Sequence, residues 1–151
     1  MTTAITMQGD MTPERVDRDL EWLKRSLPSL REDQEVRRQA KTVISSHSKP
    51  AHPAEISARV LALLNSYYDK DSPVSIQEIE AEDWVEALKN YPYWAIERAC
   101  RWWKSDENGY RRKRPLEGDI VDRCKAHMQP ILAAKILLQA DLRGPKNWMP
   151  D

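Results

Sequence analysis

The sequence predicts an all-α protein, a compact four- to five-helix domain preceded by an N-terminal helical pair, and three observations predict it. Apolar residues recur at three- and four-residue intervals in segment after segment, which lays one stripe along a helix. No segment alternates apolar and polar residues with period two over a useful length, as a half-buried strand would. The 151 residues include only four glycines, too few for the tight turns of a sandwich or barrel. A chain of this length can bury roughly 70% of the surface its unfolded form exposes.

Residues 1–11 carry no periodicity and are expected to be mobile. An arm, 12–46, follows. Thr12 is placed as an N-cap and Pro13 at the first helical position. Val16, Leu20, Leu23 and Leu27 form a narrow stripe that ends at Pro28. Ser29 and Glu32 match a capping box for a second helix reaching about Ile44, with a thin stripe of Val36, Ala40, Val43 and Ile44. Residues 47–53 read as a linker. The main domain is expected over 54–143. Its first helix begins at Pro53 and carries Ile56, Val60, Leu63, Leu64 and Tyr67. A capping-box pair, Ser75 and Glu78, precedes Ala81, Trp84, Val85 and Leu88. Pro92 starts the helix of Ile96, Ala99, Cys100 and Trp103, with Trp102 about 100° away around the axis. "SDENG" is a turn. Pro115 opens a helix through Ile120, Val121, Cys124 and Met128. Pro130 kinks or restarts it, and Gly144-Pro145 stops the last apolar segment. Residues 144–151 are a tail whose Trp148 either docks back or contacts a partner.

Composition excludes several functions. Net charge is zero, which argues against coating DNA by bulk electrostatics. Cys100 and Cys124 lack metal or redox spacing and read as reduced, packed thiols of a cytoplasmic protein. No apolar run is long enough to span a membrane, and "MTTAITMQGDM" does not resemble a signal peptide. His47 and His52 read as solvated linker residues, and His127 as a cation favoured at a helix end. Glu80, Glu82 and Asp83 read as an exposed acidic face. No phosphate loop, nucleophile elbow or metal motif occurs, so no enzyme, cofactor or metal is expected.

Three features remain as candidates. The first is the basic elbow Arg111, Arg112, Lys113 and Arg114, with Lys104 and Arg101 on the preceding helix and Tyr110 able to stack on a base. It reads either as a nucleic-acid or acidic-partner contact or as a solvated loop paired with Asp106, Glu107, Glu117 or Asp119. The fold does not require these cations, since any polar loop would connect the helices. The second is the aromatic-dense "YPYWAIERACRWW", where Trp94 or Trp102 could face a protein partner. The third is the stripe Leu20, Leu23 and Leu27, which must pack within the chain or on another chain, including a second copy.

The order "ARVLALLNSYY", "AEDWVEALKNYPYWAIERACRWWKS", "RPLEGDI" resembles the small helical domain of phage helicase loaders, which load and inhibit a phage replicative helicase. The positions that carry it are Tyr67, Trp84, Leu88, Tyr91, Ala99, Pro115, Asp119 and Ile120, over about residues 54–128. The resemblance implies a non-enzymatic adaptor that binds a hexameric helicase and hands it to an origin-bound protein. In that family the helicase contact is attributed chiefly to a flexible C-terminal part, whereas Ile131 to Leu142 here reads as helical and apolar. Binding of DNA through the elbow, or dimerisation through the arm, are the other functions expected.

Overall fold

The computed structural model describes residues 12–67 and 74–143. The expectations for residues 1–11 and for the tail with Trp148 fall outside them. The described residues are all-helical: α1 (Pro13–Ser26), α2 (Gln34–His47), α3 (Pro53–Leu64), α4 (Val74–Leu88), α5 (Tyr93–Trp103), α6 (Glu117–His127) and α7 (Gln129–Arg143). No strand occurs among them.

The helices fall into two compact units. Among the described residues, one comprises 48–67 with 74–128 and the other 12–47 with 129–143. The last apolar helix therefore belongs with the N-terminal pair, and the main unit contains four helices where the sequence suggested four or five.

In the first unit, α1, α2 and α7 each pack against the other two. Thr12 caps α1 by accepting a hydrogen bond from the Arg15 amide at 3.2 Å. Val16, Leu20 and Leu23 are buried, as are Ile131, Ala134 and Leu138 of α7. The stripe that had to find a cover has it within the chain. The expected capping box at Ser29 does not form. Pro28 sits in a 3-10 turn, Leu27–Ser29, after which Leu30 drops into the core. The cap moves to Asp33, whose carboxylate accepts from the amides of Glu35 and Val36 at 3.0 and 3.1 Å. Helix α2 also runs on to His47. That histidine is 1% exposed, and its Nε2 lies 2.8 Å from an Asp19 carboxylate oxygen. The expectation of a solvated His47 fails because the helix does not stop at Ile44, and one more turn carries the imidazole into the core.

In the second unit, α3 packs on α4 and α5, and α6 packs on the same two helices, closing a four-helix ring. Its core is Ile56, Val60, Leu63, Leu64, Trp84, Leu88, Ile96, Ala99, Cys100, Ile120 and Cys124. These are the stripe residues the spacing predicts, and each helix turns one face inward. The segment before α3 is pinned, since the Ala51 amide donates to the Tyr91 carbonyl at 2.9 Å. His52 is an exposed N-cap. Its Nδ1 accepts from the Ala54 amide, and its own amide donates to Glu55. Helix α6 starts after Pro115, with the Leu116 amide donating to the Asp119 carboxylate at 2.8 Å. Pro130 stands at the second position of a new helix and introduces no kink in an old one.

Candidate nucleic-acid or acidic-partner interface

The loop between α5 and α6 is held from inside. Helix α5 ends at Trp103, where backbone carbonyls run out of intrahelical donors. Asn108, 2% exposed, supplies one: its Nδ2 donates to the Trp103 carbonyl at 2.8 Å. Its Oδ1 accepts from the Tyr110 amide at 3.0 Å. The Trp103 indole N–H then donates to the Lys113 carbonyl at 2.9 Å. The Tyr67 hydroxyl, in the 3-10 turn that follows α3, donates to the Arg111 carbonyl. Backbone groups of Tyr110, Arg111 and Lys113 are thus fixed by three side chains of the same unit, while the side chains of Tyr110, Arg112, Lys113 and Leu116 stay exposed.

The four cations of the elbow have separate roles. Arg114 reaches across to α4 and pairs with Glu80. It is therefore part of the fold, contrary to the expectation that none of the four is, and the partner is none of the four nearby acids considered from sequence. Glu80 in turn is half-buried and not part of an exposed acidic face. Arg111 lies 3.8 Å from Asp106, which is 99% exposed at its side chain, so that pair is worth little in water. Arg112 and Lys113 are exposed, and their side chains have no ion pair or hydrogen bond among the described residues. Tyr110 is 72% and Leu116 66% exposed on either side of them. Lys104 joins the group through Tyr67, its Nζ lying 6.0 Å from the ring centroid. Arg101 turns back to Glu97 at 3.4 Å.

The aromatic candidates are each covered in part by a cation. The Arg123 guanidinium of α6 lies 4.0 Å from the centroid of Trp102. Trp102 also meets Trp103 edge-on, with centroids 6.4 Å apart and planes at 63°. Trp94 is half-buried and has Arg98 at 5.3 Å from its centroid. In the other unit Leu20 and Leu23 are buried and Leu27 is half-buried, which leaves that stripe little surface for a second chain.

Neither cysteine is poised for chemistry. Burial pushes the Cys100 thiol up to about 11 and that of Cys124 to about 12, so both remain protonated near neutrality. His127 is held below the usual histidine range by burial and, secondarily, by the charges of Arg123 and Arg98. The expectation of a cationic His127 at the helix end is overridden chiefly by burial, with the two arginines adding to it. Among the described residues no group of three or more His, Cys, Asp or Glu could hold a metal ion. No described helix is long and apolar enough to cross a membrane.

Two contributors were not recognised from sequence. Asn108 reads as an ordinary turn residue, although Asn two residues before an amide it can cap is a recurrent turn signature. Tyr67 reads as one more stripe residue, and nothing local indicates its reach to Arg111. Comparison of the chain with protein-family models, with curated proteins and with solved structures finds no match.

Proposed function

We propose that the chain is a non-enzymatic adaptor of the phage replication-accessory kind, a loader or modulator that acts on a replicative helicase by protein–protein contact. The contact surface is the braced 110–116 loop, offered to an acidic patch on the partner. The single observation that supports it is the combination of a fixed backbone with two exposed, unpaired cations, Arg112 and Lys113, between exposed Tyr110 and Leu116. A loop that needs no ordering on binding avoids the loop-ordering part of the entropic cost of docking. The helicase as partner is supported by the resemblance of residues 54–128. In such an adaptor, binding one helicase state better than another shifts the population toward it. Co-elution with a purified hexameric replicative helicase tests this. Wild-type chain is expected to co-elute, and the double variant Arg112→Ala, Lys113→Ala to be depleted from the complex. A folded wild-type chain that never co-elutes refutes it.

A second reading, DNA binding by the same loop, is favoured by Tyr110, a free stacking surface beside two phosphate-reaching cations. Anisotropy of a labelled single-stranded oligonucleotide would then show a log–log salt slope near −1.4, about −0.7 for each of two phosphates. Salt-insensitive or undetectable binding removes it.

A further inference from the structure

A second surface of the four-helix unit is distinct from the basic loop. An open groove of about 610 Å³ runs between α3 and α4. Pro53, Leu61, Ala81 and Val85 give it an apolar floor, and Leu61 is 38% exposed there. Along one side stand Glu78, Glu82 and Glu86, all lining the groove. Their four-residue spacing puts the three carboxylates in one row on α4.

This row has little local justification. Helix α4 carries Glu78, Glu80, Glu82, Asp83 and Glu86 and not one Lys or Arg. Like charges at four-residue spacing weaken a helix, and Glu86 stands near the C-terminal end, where the helix dipole disfavours an acid. Glu80, on the far side, is answered by Arg114, and Glu86 by Lys89 at 2.7 Å. Glu78 and Glu82 are exposed and have no ion pair or hydrogen bond among the described residues. An uncompensated local conflict of this kind marks a surface used for something other than folding.

We propose that the α3–α4 groove is the docking site for an amphipathic helix of a partner protein, one that carries lysines or arginines beside its apolar stripe. The apolar floor accepts the stripe, and the acidic row fixes its orientation and register. Glu78 to Glu86 spans about 12 Å of helix axis, enough to meet two turns of a partner helix. Charge complementarity sets the choice of occupant. A helix with an acidic flank would place like charges side by side in a partly desolvated groove.

The test uses the full chain and a fluorescein-labelled 18-residue peptide with leucines at helical stripe spacing and lysines on the flanks. The control peptide keeps the leucines and replaces every lysine with glutamate. The lysine peptide is expected to bind in a salt-dependent way and the glutamate peptide much more weakly. The double variant Glu78→Gln, Glu82→Gln should lower affinity for the lysine peptide roughly three- to tenfold. Both residues are exposed, so the fold should survive, which circular dichroism checks. Leu61→Asp should lower it as well. Arg112→Ala, Lys113→Ala should leave it within about twofold, which separates this site from the loop. The proposal is overturned by equal binding of the two peptides, by no binding of the lysine peptide, or by indifference to the Gln substitutions. It is also overturned if the chain is a dimer that the Gln variant dissociates, since the occupant would then be a second copy.

Discussion

Replacing Asn108 with alanine should loosen the four-helix unit and release its basic loop. The side chain makes two hydrogen bonds, to the Trp103 carbonyl at 2.8 Å and from the Tyr110 amide at 3.0 Å. Each is worth about 1 kcal/mol net, and a carbonyl left buried at a helix end adds to the loss. The expected destabilisation is about 2 to 3 kcal/mol, which is roughly a 30- to 150-fold change in the folding equilibrium. Urea unfolding followed by tryptophan fluorescence reads it, because Trp84, Trp102 and Trp103 all lie in this unit. With a slope typical of small proteins the midpoint should fall by about 1 M. Asn108→Asp sharpens the test. It keeps an acceptor for Tyr110 but removes the donor to Trp103 and buries a charge, so it should be at least as damaging. Trypsin should also cut sooner after Arg111, Arg112 or Lys113, since opening this segment becomes easier. A loss below about 0.5 kcal/mol with unchanged proteolysis would refute the reasoning, because surface substitutions that matter to nothing fall in that range.

Three further outcomes are expected. Asp19→Ala removes the carboxylate 2.8 Å from buried His47 and should destabilise the three-helix unit by about 1 to 3 kcal/mol, read as a lower thermal midpoint. With thiols at about 11 and 12, Cys100 and Cys124 should react with an aromatic disulfide reagent at pH 8 only after denaturant is added; fast reaction in the native protein would contradict their burial. His127 has a folded pKa below the ordinary 6.5, so the unfolded chain takes up its proton first on acidification. Its contribution is present above pH 6.5 and lost as pH falls through the lower folded value, and His127→Gln should flatten the stability profile in that window.

What could be read from sequence was what is local. Stripe spacing located the buried faces of α1, α3, α4, α5 and α6, because burial of one helix face obeys the helix's own period. Prolines at 13, 53 and 92 marked starts for the same reason: their effect is exerted within a turn. The misreadings concern choices between local options, or contacts far apart in the chain. Ser29 and Asp33 could both cap α2, and the 3-10 turn imposed around Pro28 decides for Asp33. Ile131 to Leu142 reads as helical and apolar, which does not say against which helices it packs, so the placement of α7 with α1 and α2 was invisible. Of the elbow, the cluster was legible and its division was not. Only the fold shows that Glu80 claims Arg114 and that Tyr67 holds Arg111 by its backbone.

The three-helix unit draws on both sides of the four-helix one: α1 and α2 precede it and α7 follows it. On the ribosome these parts do not become available together. Residues 48–128 are continuous and can close their ring once α6 has emerged. Helices α1 and α2 must wait for α7, with Leu20 and Leu23 short of a cover throughout. At about 5 to 20 residues per second, synthesis of the intervening segment takes roughly 4 to 16 s. During that interval the nascent chain carries one finished unit and one exposed apolar stripe. Chaperone contact, or misassembly between neighbouring nascent chains, would begin at that stripe.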